Sequence, residues 1–215
     1  MIVSFIAMIV FSESMLSVSS DSRKPPDSIA EPVRTLLDEN AIIISDGDTE
    51  LMAFWFRKSI PAKATAEQIK NGLTYREIPE TTLIAVVKVS KVFVDYRKQE
   101  IPAGVYTLRL VFQPDTGDHS GTAPHTEFLL LSPVSADKSP DETDVKSVVD
   151  MSKKATGGDH PGVILLVPDK GEKAEPAITE KDGIAIVRCK RSLDASRKES
   201  SLGFGITVKG FSKTR

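Results

Sequence analysis

The side chains best equipped for chemistry are the three histidines, and their surroundings repeat. His119 closes Thr116-Gly117-Asp118-His119, and His160 closes Thr156-Gly157-Gly158-Asp159-His160. His125-Thr-Glu-Phe-Leu-Leu-Leu-Ser-Pro133 and His160-Pro-Gly-Val-Ile-Leu-Leu-Val-Pro168 then share one plan: a histidine, two spacers, four apolar residues, one more residue, a proline. Imidazole suits copper or zinc, and carboxylates complete or orient such ligand shells. His119, His125 and His160, with Asp118 or Asp159 as fourth or outer groups, are therefore the candidate metal set. The competing reading is ordinary turn chemistry, in which the aspartate bonds its own backbone and the histidine a neighbouring carbonyl. The absence of a close i, i+2 or i, i+4 histidine pair favours this second reading.

Other reaction chemistries find less. Ser120 follows His119, but Asp118 and Gly121 do not build the Gly-x-Ser-x-Gly elbow. No His-Glu-x-x-His motif or phosphate-binding glycine loop occurs. Asp46 with Asp48, and Asp141 with Glu142, fit a turn and a helix start, and Asp46-Gly47-Asp48 lacks the remaining ligands of a calcium loop. Cys189 is the single cysteine, so no internal disulfide forms, and its apolar strand context reads as a small buried residue. Trp55, Tyr75, Tyr96 and Tyr106 are the candidates for a sugar-stacking face. Trp55 and Tyr106 lie inside strand patterns and read as core, whereas Tyr75 and Tyr96 are freer.

The elements that would position these groups are mostly strands. Ala41–Ser45, Glu50–Lys58, Leu83–Val94, Val105–Gln113, Val163–Val167, Gly183–Cys189 and Leu202–Val208 carry strand patterns. In Val105–Gln113, Tyr106, Leu108, Leu110 and Phe112 face one way, and Thr107, Arg109 and Gln113 the other. Arg191–Ser201 reads as a polar turn region. Ser28–Glu31 and Thr65–Gln68 have capping-box spacing for short helices. A longer helix is expected over Pro140–Ala155, with Ser139 as N-cap and Gly157 as terminator. If that helix is a crossover within one sheet, the strands it joins are parallel, and His125 and His160 share a sheet end. The fold class is mostly β: an antiparallel β-sandwich of about eight strands with a helical insertion at 140–155.

The chain has 215 residues, 40% of them hydrophobic and 27% charged, which permits one packed domain and disfavours global disorder. The net charge of -2 disfavours a dedicated nucleic-acid binder. Ile2–Phe11 is an apolar run of about ten residues, too short to span a bilayer but suited to a signal peptide's core. Ser17-Val18-Ser19 supplies small residues for cleavage, although no Lys or Arg follows Met1. The division is thus 1–20 as signal peptide or uncleaved anchor, 21–40 as linker and short helix, and 41–215 as the β domain, with no membrane span in the mature chain. Lys181–Arg215 is rich in Lys and Arg, and would meet an anionic envelope polymer or a protein partner, or else is a solvated outer face.

Ile101-Pro-Ala-Gly-Val-Tyr-Thr-Leu-Arg, the following Gly-Asp-His-Ser-Gly-Thr-Ala, and Lys153-Lys-Ala-Thr-Gly-Gly-Asp-His-Pro-Gly-Val-Ile-Leu resemble segments of exported bacterial β-sandwich proteins of uncharacterised function. The likeness covers residues 40–170. It implies a periplasmic or secreted location and no particular activity. The resulting expectation is an exported, non-enzymatic binding or structural protein of the cell envelope. The alternative is a periplasmic copper- or zinc-binding protein using the histidines.

Overall fold

A computed structural model describes residues 16–114, 123–170, 173, 175–195 and 198–211. Asp118 and His119 lie outside these residues.

The fold is mostly β, as expected, but it is a curled mixed sheet, a half-barrel, not a plain eight-stranded sandwich. In chain order the strands are β1 Leu16–Ser22, β2 Asn40–Asp46, β3 Thr49–Phe56, β4 Ile60–Ala62, β5 Leu83–Val89, β6 Phe93–Val94, β7 Glu100–Ile101, β8 Gly104–Phe112, β9 Glu127–Pro133, β10 Gly162–Asp169, β11 Ala177–Lys181, β12 Ile184–Ala195 and β13 Lys198–Lys209. The hydrogen-bonded order is β1-β2-β3-β5-β8-β9-β10-β13-β12-β11; β4 joins β12 in parallel, and β6 and β7 form a separate hairpin. The bend falls within β10. Its first half, Gly162–Leu165, pairs with β9, and its second half, Leu166–Asp169, pairs with β13. The curl brings the two end strands, β1 and β11, near each other.

Alternation along the strands decides what fills the hollow. Ile42, Ile44, Met52, Phe54, Phe56, Val87, Tyr106, Leu108, Leu110, Leu129 and Leu131 face Val187, Cys189, Leu193, Phe204 and Ile206 across one core. Phe56 and Phe204 meet edge-on with ring centroids 6.1 Å apart. The outer face of the first half is also apolar, because two segments cover it. One is a strap over residues 23–39, whose Ile29, Val33 and Leu37 pack on Ile43, Trp55 and Val86. Its only helix is a single turn, α1 Glu31–Arg34. The other is α3 Val145–Thr156, whose Val148 packs on Val111, Leu130, Val163 and Leu165. Between them in sequence, α2 Ala66–Asn71 has the expected capping box: Thr65 Oγ1 accepts from Gln68 N, and Thr65 N donates to Gln68 Oε1.

Several boundaries differ from expectation for identifiable reasons. Leu83–Val94 is not one strand: β5 ends at Val89, and Phe93–Val94 turns away into the hairpin with Glu100–Ile101. Arg191–Ser201 is not a turn region but the paired ends of β12 and β13, whose ladder continues from Arg191↔Leu202 to Ala195↔Lys198. The helix begins at Val145 with Asp144 as N-cap, not at Pro140, and Gly157 ends it at φ 67° as expected. Leu16–Ser22 pairs along its whole length with β2, so the region read as leader and linker contains an edge strand.

Candidate functional site

The crossover expected to gather the histidines does not form. β9 and β10 are adjacent and antiparallel, with Leu131 opposite Gly162. Their entries therefore lie at opposite ends of the sheet. The start of β9 at Glu127, four residues before Leu131, is about 13 Å along the sheet from the β10 entry at about 3.3 Å per residue, and His125 precedes it. His125 is half-buried, and His160 and Asp159 are exposed. His160 contributes its backbone carbonyl to the end of α3, where it accepts from Thr156 Oγ1 at 2.8 Å. Among the described residues no group of three or more His, Cys, Asp or Glu side chains is placed to hold a metal ion.

The buried polar groups that do converge centre on Arg109. Its side chain and that of Asp137 are 1% and 3% exposed. Arg109 Nε and Nη2 donate to Asp137 Oδ2 and Oδ1 at 2.7 and 3.0 Å. Nη2 also donates to Ser139 O at 2.6 Å, and Nη1 to Thr81 O and Asp141 O at 2.8 and 2.9 Å. A guanidinium has five N–H donors, and all are consumed. Thr107 Oγ1 adds a bond to Asp137 Oδ2 at 2.7 Å. Thr81 sits at φ 70°, a costly conformation for a β-branched residue, and is held there by Arg109 and by its hydroxyl bond to Thr143 O. This network holds residues 137–143 in an extended path over the sheet, which is why the helix starts late. Saturated in this way, Arg109 is a structural tie.

Three further polar groups are held within the fold, among them Tyr75 and Tyr96, which the sequence marks as freer. Asp95 is fully buried and accepts from Arg97 N, Gln99 N, Gln99 Nε2 and Val163 N at 2.8–3.0 Å. Burial raises its pKa, against the pull of those donors. Tyr75 is buried; its hydroxyl donates to Val167 O at 2.9 Å and accepts from Gly205 N at 3.1 Å, stapling β10 to β13. Burial pushes that phenol well above its ordinary pKa. Tyr96 is likewise buried, and so are Trp55 and Tyr106, the two read as core. None of the four forms a stacking face for sugars.

Cationic groups with spare bonding capacity lie near the strap. Arg57 is half-buried, with its Nε shielded and without a hydrogen-bond partner. Burial, and then the neighbouring Arg109 guanidinium, lower its pKa. Arg57 is bridged to Leu37, and Leu37 forms a wall of an open cleft of about 590 Å³. Lys24, Arg34, Lys58, Asp27, Glu31 and Glu39 give that cleft three cations and three anions. Arg34 pairs with Asp27 at 2.7 Å, and Lys58 Nζ donates to Thr35 O at 3.1 Å. Backbone bonds and one indole bond hold the walls: Asp38 N donates to Phe56 O, Lys58 N to Leu36 O, and the Trp55 side-chain Nε1 to Arg23 O. The cleft can bind a polar ligand that offers both donors and acceptors. Sequence reasoning missed it because its lining comes from the strap and from the end of β3, which only the fold brings together.

Among the described residues no helix is long and apolar enough to cross a membrane. Comparison of the chain with models of known protein families, with curated proteins and with solved structures finds no match.

Proposed function

We propose that this protein is an exported, non-enzymatic binding component of the cell envelope, and that the strap cleft is its binding surface. One observation carries the reading: the cleft brings solvent-open ionisable groups of both signs, Lys24, Arg34, Lys58, Glu31 and Glu39, into one concavity. The deeply buried ionic pair, Arg109 with Asp137, is spent within the fold. A polar polymer or extended peptide segment, with alternating donors and acceptors, suits a solvent-open cleft of this kind. The apolar run Ile2–Phe11 supports the export part of the reading.

Co-sedimentation of the full chain with lipid-free cell-wall polymer tests the binding role. Wild type pellets with the polymer, and Lys24→Glu combined with Lys58→Glu reduces the pelleted fraction at least about tenfold while circular dichroism is unchanged. Equal pelleting of wild type and variant sinks the assignment of the cleft. Cell fractionation tests the location separately, with the protein expected in the envelope fraction and not in the cytosol.

A further inference from the structure

One rim of the half-barrel collects features that a lipid surface would recognise. The strand pairings place the start of β1, the β2–β3 turn, the β6–β7 hairpin, the start of β10 and the end of β13 together on it. Three of the four exposed large apolar side chains among the described residues fall here: Val92 at 60% exposure, Val94 at 39% and Phe211 at 50%. Lys98 Nζ lies 5.5 Å from the Phe211 ring centroid, which joins the hairpin to the end of β13. Lys91, Arg97 and Lys98 are exposed around the apolar tips, with Glu100 as the exposed acid of the hairpin, while the rim's other exposed acids include Asp48 in the β2–β3 turn and Asp159 before β10. The hairpin is rigidly mounted, because Asp95 accepts from Val163 N and Gln99 Nε2 donates to Pro161 O. The apolar positions are therefore held outward, uncovered by the other described residues.

The sequence before β1 supplies a second, independent feature. Leu16 lies on this same rim, opposite Asp46, and only residues 12–15 separate it from the apolar run Ile2–Phe11. Cleavage after Ser19 would remove Leu16–Ser19 from a strand that is paired along all seven of its residues. Retention of the run keeps β1 whole, and the chain enters β1 on the rim that carries Val92, Val94 and Phe211.

We propose that this rim docks on an anionic phospholipid bilayer, with Val92, Val94 and Phe211 entering the headgroup boundary and Lys91, Arg97 and Lys98 pairing with lipid phosphates. Short apolar segments lie in the interface without spanning it, and clustered cations add attraction to anionic headgroups. The inference rests on the envelope location proposed above but not on the strap cleft, which the antiparallel strands place at the other rim.

Flotation of the full chain with phosphatidylcholine vesicles, with and without phosphatidylglycerol, tests it. Wild type floats with the anionic vesicles and much less with the zwitterionic ones. V92S/V94S/F211S, checked for folding by circular dichroism, loses at least about tenfold in vesicle affinity. In a second measurement, Phe211→Trp fluorescence is quenched by brominated acyl chains while the buried Trp55 is not. Equal flotation of the wild type and the triple variant, or an unquenched Phe211→Trp, overturns the proposal. Binding to lipid-free polymer is unchanged in the triple variant, so failure of the cleft and failure of the rim are separate results.

Discussion

Removing the Asp137 carboxylate would leave the Arg109 guanidinium buried without its counter-charge. Breaking one partner of a buried pair costs about 3–5 kcal/mol. Asp137→Asn should therefore lower the urea midpoint steeply, and a fall of less than about 1 kcal/mol would contradict the role given to the pair. Arg109 was placed by alternation on the face away from Leu108 and Leu110, which is correct. That this face is also covered was not legible, because its cover comes from Asp137, 28 residues away. A hint was present: Val111 shares that face, and an apolar neighbour beside a charge in one strand signals a covered surface. Asp95 makes a prediction with a definite sign. Its pKa is raised in the folded state, so between the ordinary carboxylate value of about 3.9 and the folded value the folded chain holds a proton that the unfolded chain has lost. Its contribution to stability is thus full below the ordinary value and lost as pH rises through the folded one. Unfolding of wild type and Asp95→Asn across pH 3–8 should show this decline in the wild type alone; parallel curves would refute it.

At the scale of elements, the join between the halves of the curled sheet depends on β10 changing partners midway. Tyr75 supplies two of the bonds there, and Gly205 has no room for a side chain, since a Cβ would lie 2.5 Å from Val167 O. Tyr75→Phe removes both bonds and leaves two backbone groups short of partners, which should cost about 1–3 kcal/mol by chemical denaturation. No loss of stability would mean that the staple is idle. Gly203 and Gly205 are plain in the sequence of the closing strand, but what Gly205 answers to, the close approach of β10, is not legible there. The helix was legible in its interior and at Gly157, where periodicity and capping agree. Its start was misread because Ser139-Pro140 has the form of a helix entry, while the Ser139 and Asp141 carbonyls are drawn to Arg109 instead. With residues 137–143 running out along the sheet and α3 returning, the connection begins and ends at the same rim, and β9 and β10 must be antiparallel.

For the whole molecule, class and core were legible, because period-two alternation in β8 and β13 fixes which residues turn inward, and the continuous apolar runs of β2 and β3 mark strands buried on both faces. Curvature was not, since nothing in one strand's pattern states that its two halves pair with different neighbours. Of the candidate metal set, His125 and His160 stay apart for the same reason: the matching motifs around them encode similar strand entries, not a shared location. What the fold does gather at its rims is a mixed-charge cleft under the strap and an apolar, cationic edge beside the β6–β7 hairpin. Both are surfaces, and the binding roles proposed for them rest on these two features.

The central claim is that the strap cleft binds. Chemical-shift mapping of the full chain titrated with lipid-free cell-wall polymer fragments tests it most directly. The account predicts saturable shifts confined to Lys24, Asp27, Glu31, Arg34, Thr35 and Lys58. Shifts centred elsewhere, or none at saturating polymer, would contradict it.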